Sequence, residues 1–205
     1  MISITVKENQ TGGYPPIEAG SYRAVCYSIV VLGTTYNEVF DNVQKKVMFT
    51  WELPDERINV NGEDKPRAIS ATYTMSLNEK ANLRKTLESW RGKQFTAEEL
   101  QGFDITKVLG APCMISTTTG TNTLGKQFAK VSAVSRLPKG MEIPKDTENP
   151  QVIFDISNDD CPLEDMEKLP TFVQERIKQS EEYKRRTTRP SDFLVVANTE
   201  DLPFD

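Results

Sequence analysis

Hydrophobic and polar residues alternate along the first half of the chain, a pattern typical of strands with one buried face. Residues 21–32, rich in Tyr, Val and Ile, predict a first strand. Two cleaner alternations predict strands over 47–53, where Pro54 is expected to end the strand, and over 69–77. Asn61-Gly62 between them is a hairpin signal. The apolar faces of these two strands carry Val47, Phe49, Trp51 and Leu53, and Ile69, Ala71, Tyr73, Met75 and Leu77.

A helical repeat follows the third strand. Leu83, Leu87 and Trp90 recur at the spacing of a buried helix stripe, and Lys80, Arg84 and Lys85 lie off it. We expect Ser76 or Asn78 to cap the start of this helix and Gly92 to end it. Thr96 and Glu99 predict a short second helix, and Asp104 is placed to cap a further turn.

Two more strands are predicted, over 112–118 and 127–137. In the second, Ala129, Val131 and Ala133 are expected to face the core, and Phe128 and Lys130 to face away from it. One helix between the third and fourth of five strands predicts a mainly β chain: an OB-fold-like five-stranded Greek-key barrel. A β-rich α+β sandwich with the same elements is the alternative.

Beyond the barrel the chain becomes rich in proline and acidic residues. Phe154 and Ile156 suggest one last short strand, and Pro170 is well placed to begin a C-terminal helix that runs to about Arg186. This helix either docks a partner or packs on the barrel. The last residues show no helical period and predict a flexible acidic tail.

Composition excludes several kinds of chemistry. The 205 residues contain no histidine, which removes Ser-His-Asp and Cys-His catalysis and histidine metal ligands. Cys26, Cys113 and Cys161 are far apart and form no zinc or redox pair, so we expect reduced thiols in a cytoplasmic protein. No apolar run is long enough to span a membrane, and no signal peptide is recognisable. We therefore expect no catalytic residues, no metal, no cofactor and no membrane association.

The net charge of −5 is unevenly distributed. Residues 65–139 hold 12 basic and 5 acidic residues, whereas residues 151–205 hold 7 basic and 13 acidic ones. A basic middle followed by an acidic end favours an anionic partner for the barrel and a separate role for the tail, although ordinary scatter of charge is the alternative.

The C-terminal tip carries the most specific local signal. Acidic residues precede an aliphatic-Pro-Phe run at Glu200, Asp201, Leu202, Pro203 and Phe204. This tip resembles that of bacterial single-stranded DNA-binding proteins, which combine an OB-fold with a flexible tail that recruits replication and recombination enzymes. In that family Phe is the last residue, whereas Asp205 follows it here, so the terminal carboxylate would be placed differently. An acidic chain end without such a role is the alternative.

A second resemblance lies in the basic middle of the chain. The run from Leu87 through Trp90, Gly92 and Phe95 to Gly110 is similar to a stretch of phage replication-module proteins. It implies a phage-encoded protein acting in the cytoplasm of a bacterial host. Together the two resemblances imply an OB-fold-like nucleic-acid-binding domain over 1–156, an acidic linker and helix over 157–190, and a flexible acidic tail with a partner-binding tip over 191–205. Single-stranded DNA and replication or recombination enzymes are the expected partners.

OB-folds bind single strands over strands 2–3, between the loops that join strands 1–2 and strands 4–5. We expect the base-stacking and phosphate-binding side chains in those loops and at the start of strand 3. Trp51 and Trp90 lie in the apolar register of their elements and are expected in the core instead. The candidate nucleic-acid-binding residues are Tyr36, Phe40, Lys45, Lys46, Lys65, Arg67, Lys126, Phe128 and Lys130.

Two other functions remain open. The first is a protein-interaction or recombination accessory module on the same fold that binds no DNA. The second is a carboxylate–metal nuclease, since Pro54-Asp55 and Glu63-Asp64-Lys65 match the letters of a nuclease motif. The second half of that motif lies in a turn-prone stretch without buried alternation, which favours a coincidental match. Nothing in the sequence specifies oligomeric state, although free edge strands allow a homo-oligomer.

Overall fold

A computed structural model describes residues 15–38, 41–142 and 146–188. Its strands are β1 (Gly20–Asn37), β2 (Asn42–Val60), β3 (Glu63–Thr74), β4 (Pro112–Thr121), β5 (Gln127–Ser135) and β6 (Val152–Asp155). Its helices are α1 (Asn82–Arg91), α2 (Ala97–Gln101), α3 (Thr171–Lys178) and α4 (Glu181–Thr187), with 3-10 turns at Ile105–Val108 and Leu163–Lys168. The prediction of a mainly β chain with a helix between the third and fourth strands is confirmed.

The first five strands form one strongly curled antiparallel sheet in the order β3-β2-β1-β4-β5. The long strand β1 pairs with β2 along one edge, and its other edge is shared by β4 near the start and by the parallel strand β6 from Ser28 to Val31. The predicted hairpin joins β2 to β3, with Asn61 at φ 54° and Gly62 at φ 92°. The end strands β3 and β5 approach each other without pairing, so the sheet is a half-barrel with an open seam.

The inner face of the half-barrel holds the larger hydrophobic core. Phe49, Trp51 and Leu53 of β2 meet Leu87 and Trp90 of α1 there, as the alternation and the helix stripe predict. The two indole rings lie 5.7 Å apart, and the Trp90 Nε1–H donates to the carbonyl of Pro112 at 3.0 Å. Both tryptophans are buried, so their assignment to the core is confirmed.

Two local predictions need correction. Pro54 does not end β2, because an irregularity between Leu53 and Arg57 takes the proline out of the ladder and pairing then resumes to Val60. Neither Ser76 nor Asn78 caps α1, whose N-terminal flanking residue is Ala81 without a side-chain cap. The other ends are as predicted: the chain leaves α1 through a left-handed Gly92, α2 begins with a capping box and Asp104 caps the first 3-10 turn.

A second core covers the outer face of β1 and β2. Val30, Leu32 and Met48 of the sheet pack against residues of the C-terminal part of the chain: Phe154, Ile156, Met166, Leu169, Val173 and Ile177. The last short strand exists, and the predicted helix over 170–186 is two helices, α3 and α4, that meet at the buried Ser180. This segment packs on the sheet, which decides between the two roles left open by its sequence.

The junction of α3 and α4 docks where β1 bulges at Gly33. Gly33 has φ +85°, and a Cβ placed on it would lie 2.6 Å from the Cβ of Ser180. Only glycine therefore fits both the backbone conformation and the contact. Beside it, the Glu182 carboxylate accepts hydrogen bonds from the Thr34 N–H at 2.7 Å and the Thr34 hydroxyl at 2.6 Å.

A buried carboxylate fixes the other end of this outer layer. Glu52 of β2 is 3% exposed and accepts hydrogen bonds from the backbone N–H groups of Glu148 and Asn149 and from the Asn149 side chain, at 3.1, 2.8 and 2.6 Å. These bonds satisfy a carboxylate that would otherwise be costly to bury. The outer face of β2 is thus occupied by the chain itself.

Candidate functional site

The open seam between β3 and β5 forms a cleft with a volume of about 1410 Å³, to which α1 contributes the floor. Its walls are made of small polar and small apolar side chains, with a few larger ones. The lining residues are Ser70, Ala71, Thr72, Tyr73, Thr74, Ser76, Asn78, Lys80, Ala81, Asn82, Lys85, Thr86, Ser89, Thr118, Phe128, Ala129, Lys130, Val131, Ser132, Ala133 and Val134.

Most of the residues that line this cleft belong to β3, α1 and β5. β3 alternates, so Tyr73 lies against Phe49 of the core while its Ser and Thr neighbours face the other way. α1 buries Leu83 and Leu87, which leaves Lys85, off that stripe, at the open side. Burial raises the pKa of Tyr73, so its hydroxyl stays protonated at neutral pH.

A register shift in β5 changes which of its residues face the core. Between the pairs Ala133–Ser116 and Val131–Thr117, the residue Ser132 is left over as a bulge. Ala133 is therefore exposed and Val134 is buried. The prediction that Ala133 faces the core is wrong, whereas Ala129 and Val131 do pack against the core.

Phe128 is 45% exposed at one end of the cleft. It pairs across the strands with Gly120, and a Cβ placed on Gly120 would lie 2.7 Å from the Phe128 Cζ. The glycine leaves room for the ring to lie across β4, which holds an aromatic surface at the cleft without burying it. This is the kind of platform on which a base or another flat group stacks.

The cleft is basic. Lys80, Lys85 and Lys130 line it, no carboxylate does, and none of the three lysines makes an ion pair within the described residues. Some other cations of the barrel are paired, such as Arg23 with Asp55 at 2.5 Å and Arg84 with Glu88 at 3.0 Å. The cleft lysines are therefore available to an outside anion.

Of the nine predicted nucleic-acid-binding residues, two line the cleft: Phe128 and Lys130. Tyr36, Lys45 and Lys46 lie near the β1–β2 hairpin, and Phe40 lies outside the described residues. The Tyr36 hydroxyl donates to the carboxylate of Asp41, which raises the tyrosine's pKa. Lys45 donates from Nζ to the Ser157 hydroxyl at 2.7 Å.

The remaining three predicted residues lie at the other end of the sheet, near the β2–β3 and β4–β5 hairpins. Lys65 forms an ion pair with Glu63 at 2.5 Å, and this hydrogen bond raises the lysine's pKa. Arg67 donates to the carbonyl of Pro15. Lys126 is exposed in the β4–β5 turn. The structure therefore spreads the predicted set over both ends of the sheet.

Lys80 and Lys85 line the cleft but were not among the predicted binding residues, although both lie off the buried stripe of the helical segment. Their place on the exposed side of this segment was the only signal in the sequence. That signal does not show where the seam lies, because the seam follows from β3 and β5 being the two end strands of the sheet.

Two carboxylates of the nuclease-like motif, those of Asp55 and Asp64, are engaged by arginines, and the third, that of Glu63, pairs with Lys65. Asp55 accepts from the Arg23 Nε–H at 2.7 Å, which lowers the pKa of Asp55, and Asp64 accepts from the Arg57 Nε–H at 2.9 Å. Within residues 15–38, 41–142 and 146–188, no three Asp, Glu or Cys side chains are grouped so as to hold a metal ion.

The predicted tip, Glu200, Asp201, Leu202, Pro203 and Phe204, lies outside the described residues. None of the helices that the structure describes has the length and apolar character needed to cross a membrane. Comparison of the chain with models of protein families, with curated proteins and with solved structures gave no match.

Proposed function

We propose that this chain binds single-stranded DNA along the cleft between β3 and β5. The observation that carries the proposal is the composition of the cleft wall: three lysines without carboxylate partners in the described residues, no carboxylate, and the half-exposed ring of Phe128. A single strand is held by this combination of cations for its phosphates and aromatic faces for its bases.

The remaining lining supports the same ligand. Hydroxyl and amide side chains on β3 and at the start of α1 can donate to phosphate and sugar oxygens without selecting a base. The small residues Ala71, Ala129 and Ala133 leave the cleft wide. We therefore expect binding that is weakly sequence-selective and strongly dependent on salt.

The fold supports the proposal in a coarser way. Five antiparallel strands, a helix between the third and fourth, and a barrel left partly open are also features of the OB-fold. We propose that the chain is an OB-type barrel opened between its third and fifth strands. The outer face of β1 and β2 is covered by the chain's own C-terminal part, which favours the seam over that face as the binding surface.

Recruitment of replication or recombination enzymes belongs to the proposal through the sequence of the tip. Leu202, Pro203 and Phe204 offer an apolar anchor of low conformational freedom, and Glu200 and Asp201 complement basic residues around a partner's pocket. Deletion of residues 199–205 should abolish capture of such enzymes and leave or raise DNA affinity.

The test is a titration of labelled oligo-dT, followed by fluorescence anisotropy, with the full chain and a Lys80→Ala/Lys85→Ala/Lys130→Ala variant. The association constant K falls as salt rises, and each lost phosphate contact makes the slope of log K against log salt shallower by about 0.7. The variant lacks three contacts. Raising the salt from about 50 mM to about 200 mM should therefore lower the association constant of the wild type about 20-fold more than that of the variant. A Phe128→Ala variant should lose about 5- to 150-fold in affinity, since stacking of one base contributes about 1–3 kcal/mol.

The matched control is Lys168→Ala/Lys178→Ala/Lys184→Ala. It removes the same charge from residues 152–187, which cover the outer face of β1 and β2 and are called the C-terminal layer below. Lys168 and Lys178 already have carboxylate partners there. It should behave like the wild type. A Lys45→Ala/Lys46→Ala variant tests the surface predicted from sequence. Absence of wild-type binding at low salt, or equal effects of the cleft and control variants, would refute binding in the cleft.

A second function has one observation in its favour. β3 and β5 each present an unpaired backbone edge at the cleft, and an extended peptide can pair with such an edge. The protein-interaction alternative would then use the same cleft. An oligo-dT titration without binding, together with protection of β3 and β5 amides by a partner protein in hydrogen exchange, would favour it.

A further inference from the structure

A second, smaller hollow lies at the C-terminal end of α1, with a volume of about 530 Å³. Four cations line it: Arg91, Lys93, Lys107 and Arg136. Among the described residues no carboxylate lines it, and Glu99 pairs with both Arg91 and Lys93. Glu88 and Asp104 also lie near enough to interact with Arg91 and Lys107, respectively. Lys107 and Arg136 form no ion pair within the described part of the chain.

The hollow is held in place by packing. The Arg91 guanidinium carbon lies 4.5 Å from the centroid of the Phe95 ring and 4.7 Å from that of Phe103. A Cβ placed on Gly92 would lie 2.9 Å from the Cδ of Arg136, so the glycine lets this arginine lie close against the end of the helix. The cations are thus brought together by the fold, although Arg91 and Arg136 are 45 residues apart in sequence.

One donor in this group has no acceptor. The Arg91 side chain is 12% exposed, and its Nη1 is buried without a hydrogen-bond partner among the described residues. A buried guanidinium donor left without an acceptor is unfavourable. Arg91 lines the hollow, and phosphate oxygens match the geometry of a guanidinium.

The hollow continues the cleft. α1 contributes Lys85 and Ser89 to the cleft and Trp90 and Arg91 to the hollow, which Gly92 and Lys93 line just beyond the helix. β5 leads from Val134 in the cleft to Arg136, the first residue after the strand, in the hollow. The Arg136 N–H donates to the carbonyl of Ser89 at 3.0 Å, which joins the two walls at the boundary. The helix rises about 9 Å between Lys85 and Arg91, a separation that one continuous strand can span.

We infer that the hollow binds the phosphodiester backbone of the same DNA strand after it leaves the cleft, which extends the binding path along α1. The inference rests on the proposed function of the cleft. It makes the affinity depend on strand length: a short oligonucleotide fills the cleft alone, and a longer one also reaches Lys107 and Arg136.

The experiment compares oligo-dT of about 6 and about 16 nucleotides, within the range of site sizes for such domains. The full chain is compared with a Lys107→Gln/Arg136→Gln variant, which leaves the Arg91–Glu99 contact intact. For the long oligonucleotide, loss of two phosphate contacts should make the slope of log K against log salt shallower by about 1.4. Between about 50 mM and about 200 mM salt, the association constant of the wild type should then fall about 7-fold more than that of the variant. Affinity for the short oligonucleotide should not change. A Lys168→Gln/Lys178→Gln control should match the wild type at both lengths.

Each other outcome has one meaning. Wild-type protein that binds neither length refutes the proposed function itself. If the wild type binds and the double variant has the same affinity and salt slope at both lengths, the inference alone is refuted. It is also refuted if the double variant has a normal unfolding midpoint and loses the same affinity for both lengths. If the double variant does not fold, Arg136→Gln alone should show about half the slope change, and an unchanged slope refutes the inference. Inorganic phosphate that binds the wild type and not the double variant, together with the same salt slope of both proteins for the long oligonucleotide, would assign the hollow to a free anion and also refute the inference.

Discussion

Replacing Phe154 by alanine tests whether the C-terminal layer is an integral part of the barrel. Phe154 is 1% exposed and packs in the outer core with Val30, Leu32 and Met48 of the sheet. Removal of a buried phenylalanine ring costs about 3–5 kcal/mol, because apolar burial is lost and a cavity remains. For a chain of this length each kcal/mol lowers the unfolding midpoint by about 2–4 °C, so we expect a decrease of about 6–20 °C.

The adjacent residue provides the matched control. Ile153 lies on the same short strand, also pairs with β1, and is 52% exposed. An Ile153→Ala variant changes strand propensity and little burial, so its cost should stay below about 1 kcal/mol. Comparison of the two variants therefore separates loss of packing from loss of strand propensity.

Urea unfolding followed by tryptophan fluorescence is the informative assay. Trp51 and Trp90 lie in the inner core, away from Phe154. β1 contributes to both cores, with Val31 on the inner side and Val30 on the outer side, so the loss of outer packing should destabilise the inner core as well. Equal midpoints for the two variants, or a fluorescence midpoint of Phe154→Ala that equals the wild type while helix signal is lost earlier, would refute the reasoning.

Two further predictions concern titratable groups. Iodoacetamide at neutral pH should modify the partly exposed Cys161 and spare Cys26 and Cys113. Burial raises the pKa of the Cys26 and Cys113 thiols, that of Cys26 to about 12. Peptide mass spectrometry before and after addition of urea measures the modification, and reaction of Cys26 in the folded protein would contradict the prediction. Burial acts to raise the pKa of Glu182, but hydrogen bonds from Thr34 outweigh it and lower that pKa. A lowered pKa stabilises the fold above the pKa of the unfolded chain, and this contribution is lost as the pH falls through the folded-state value. The unfolding free energy of the wild type should therefore fall more steeply between about pH 7 and about pH 3 than that of Glu182→Gln, and equal pH profiles would contradict the assignment.

Local pattern predicted the elements whose environment is set by neighbours in sequence. The alternation of β2 around Phe49 and Trp51 and the stripe of α1 were sufficient, because strand and helix periods are local properties. The bulge at Ser132 was not predictable in this way. One unpaired residue moves the following side chain to the other face, and whether it is tolerated depends on the partner strand β4.

The site depends even more on tertiary structure. Lys80 and Lys85 precede Lys130 by 50 and 45 residues, and they share a cleft because the sheet ends at β3 and β5 and α1 crosses the floor between them. The OB-fold analogy predicted a groove over strands 2–3, between the loops that join strands 1–2 and strands 4–5; of the residues predicted there, Phe128 and Lys130 line the cleft. No periodicity indicated that the chain covers the adjoining face of β1 and β2 with its own residues.

The covered face, on β1 and β2, and the open seam, between β3 and β5, belong to one sheet. β1 is buried on both sides for most of its length, so its outer residues Val30 and Leu32 need the C-terminal layer. Because that layer covers part of the outer face, the seam where the sheet fails to close is left open, and Lys85 and Lys130 line it. A variant that loosens the layer, such as Phe154→Ala, should therefore lose stability while the seam keeps its lysines, and its DNA affinity below the unfolding midpoint should follow that of the wild type.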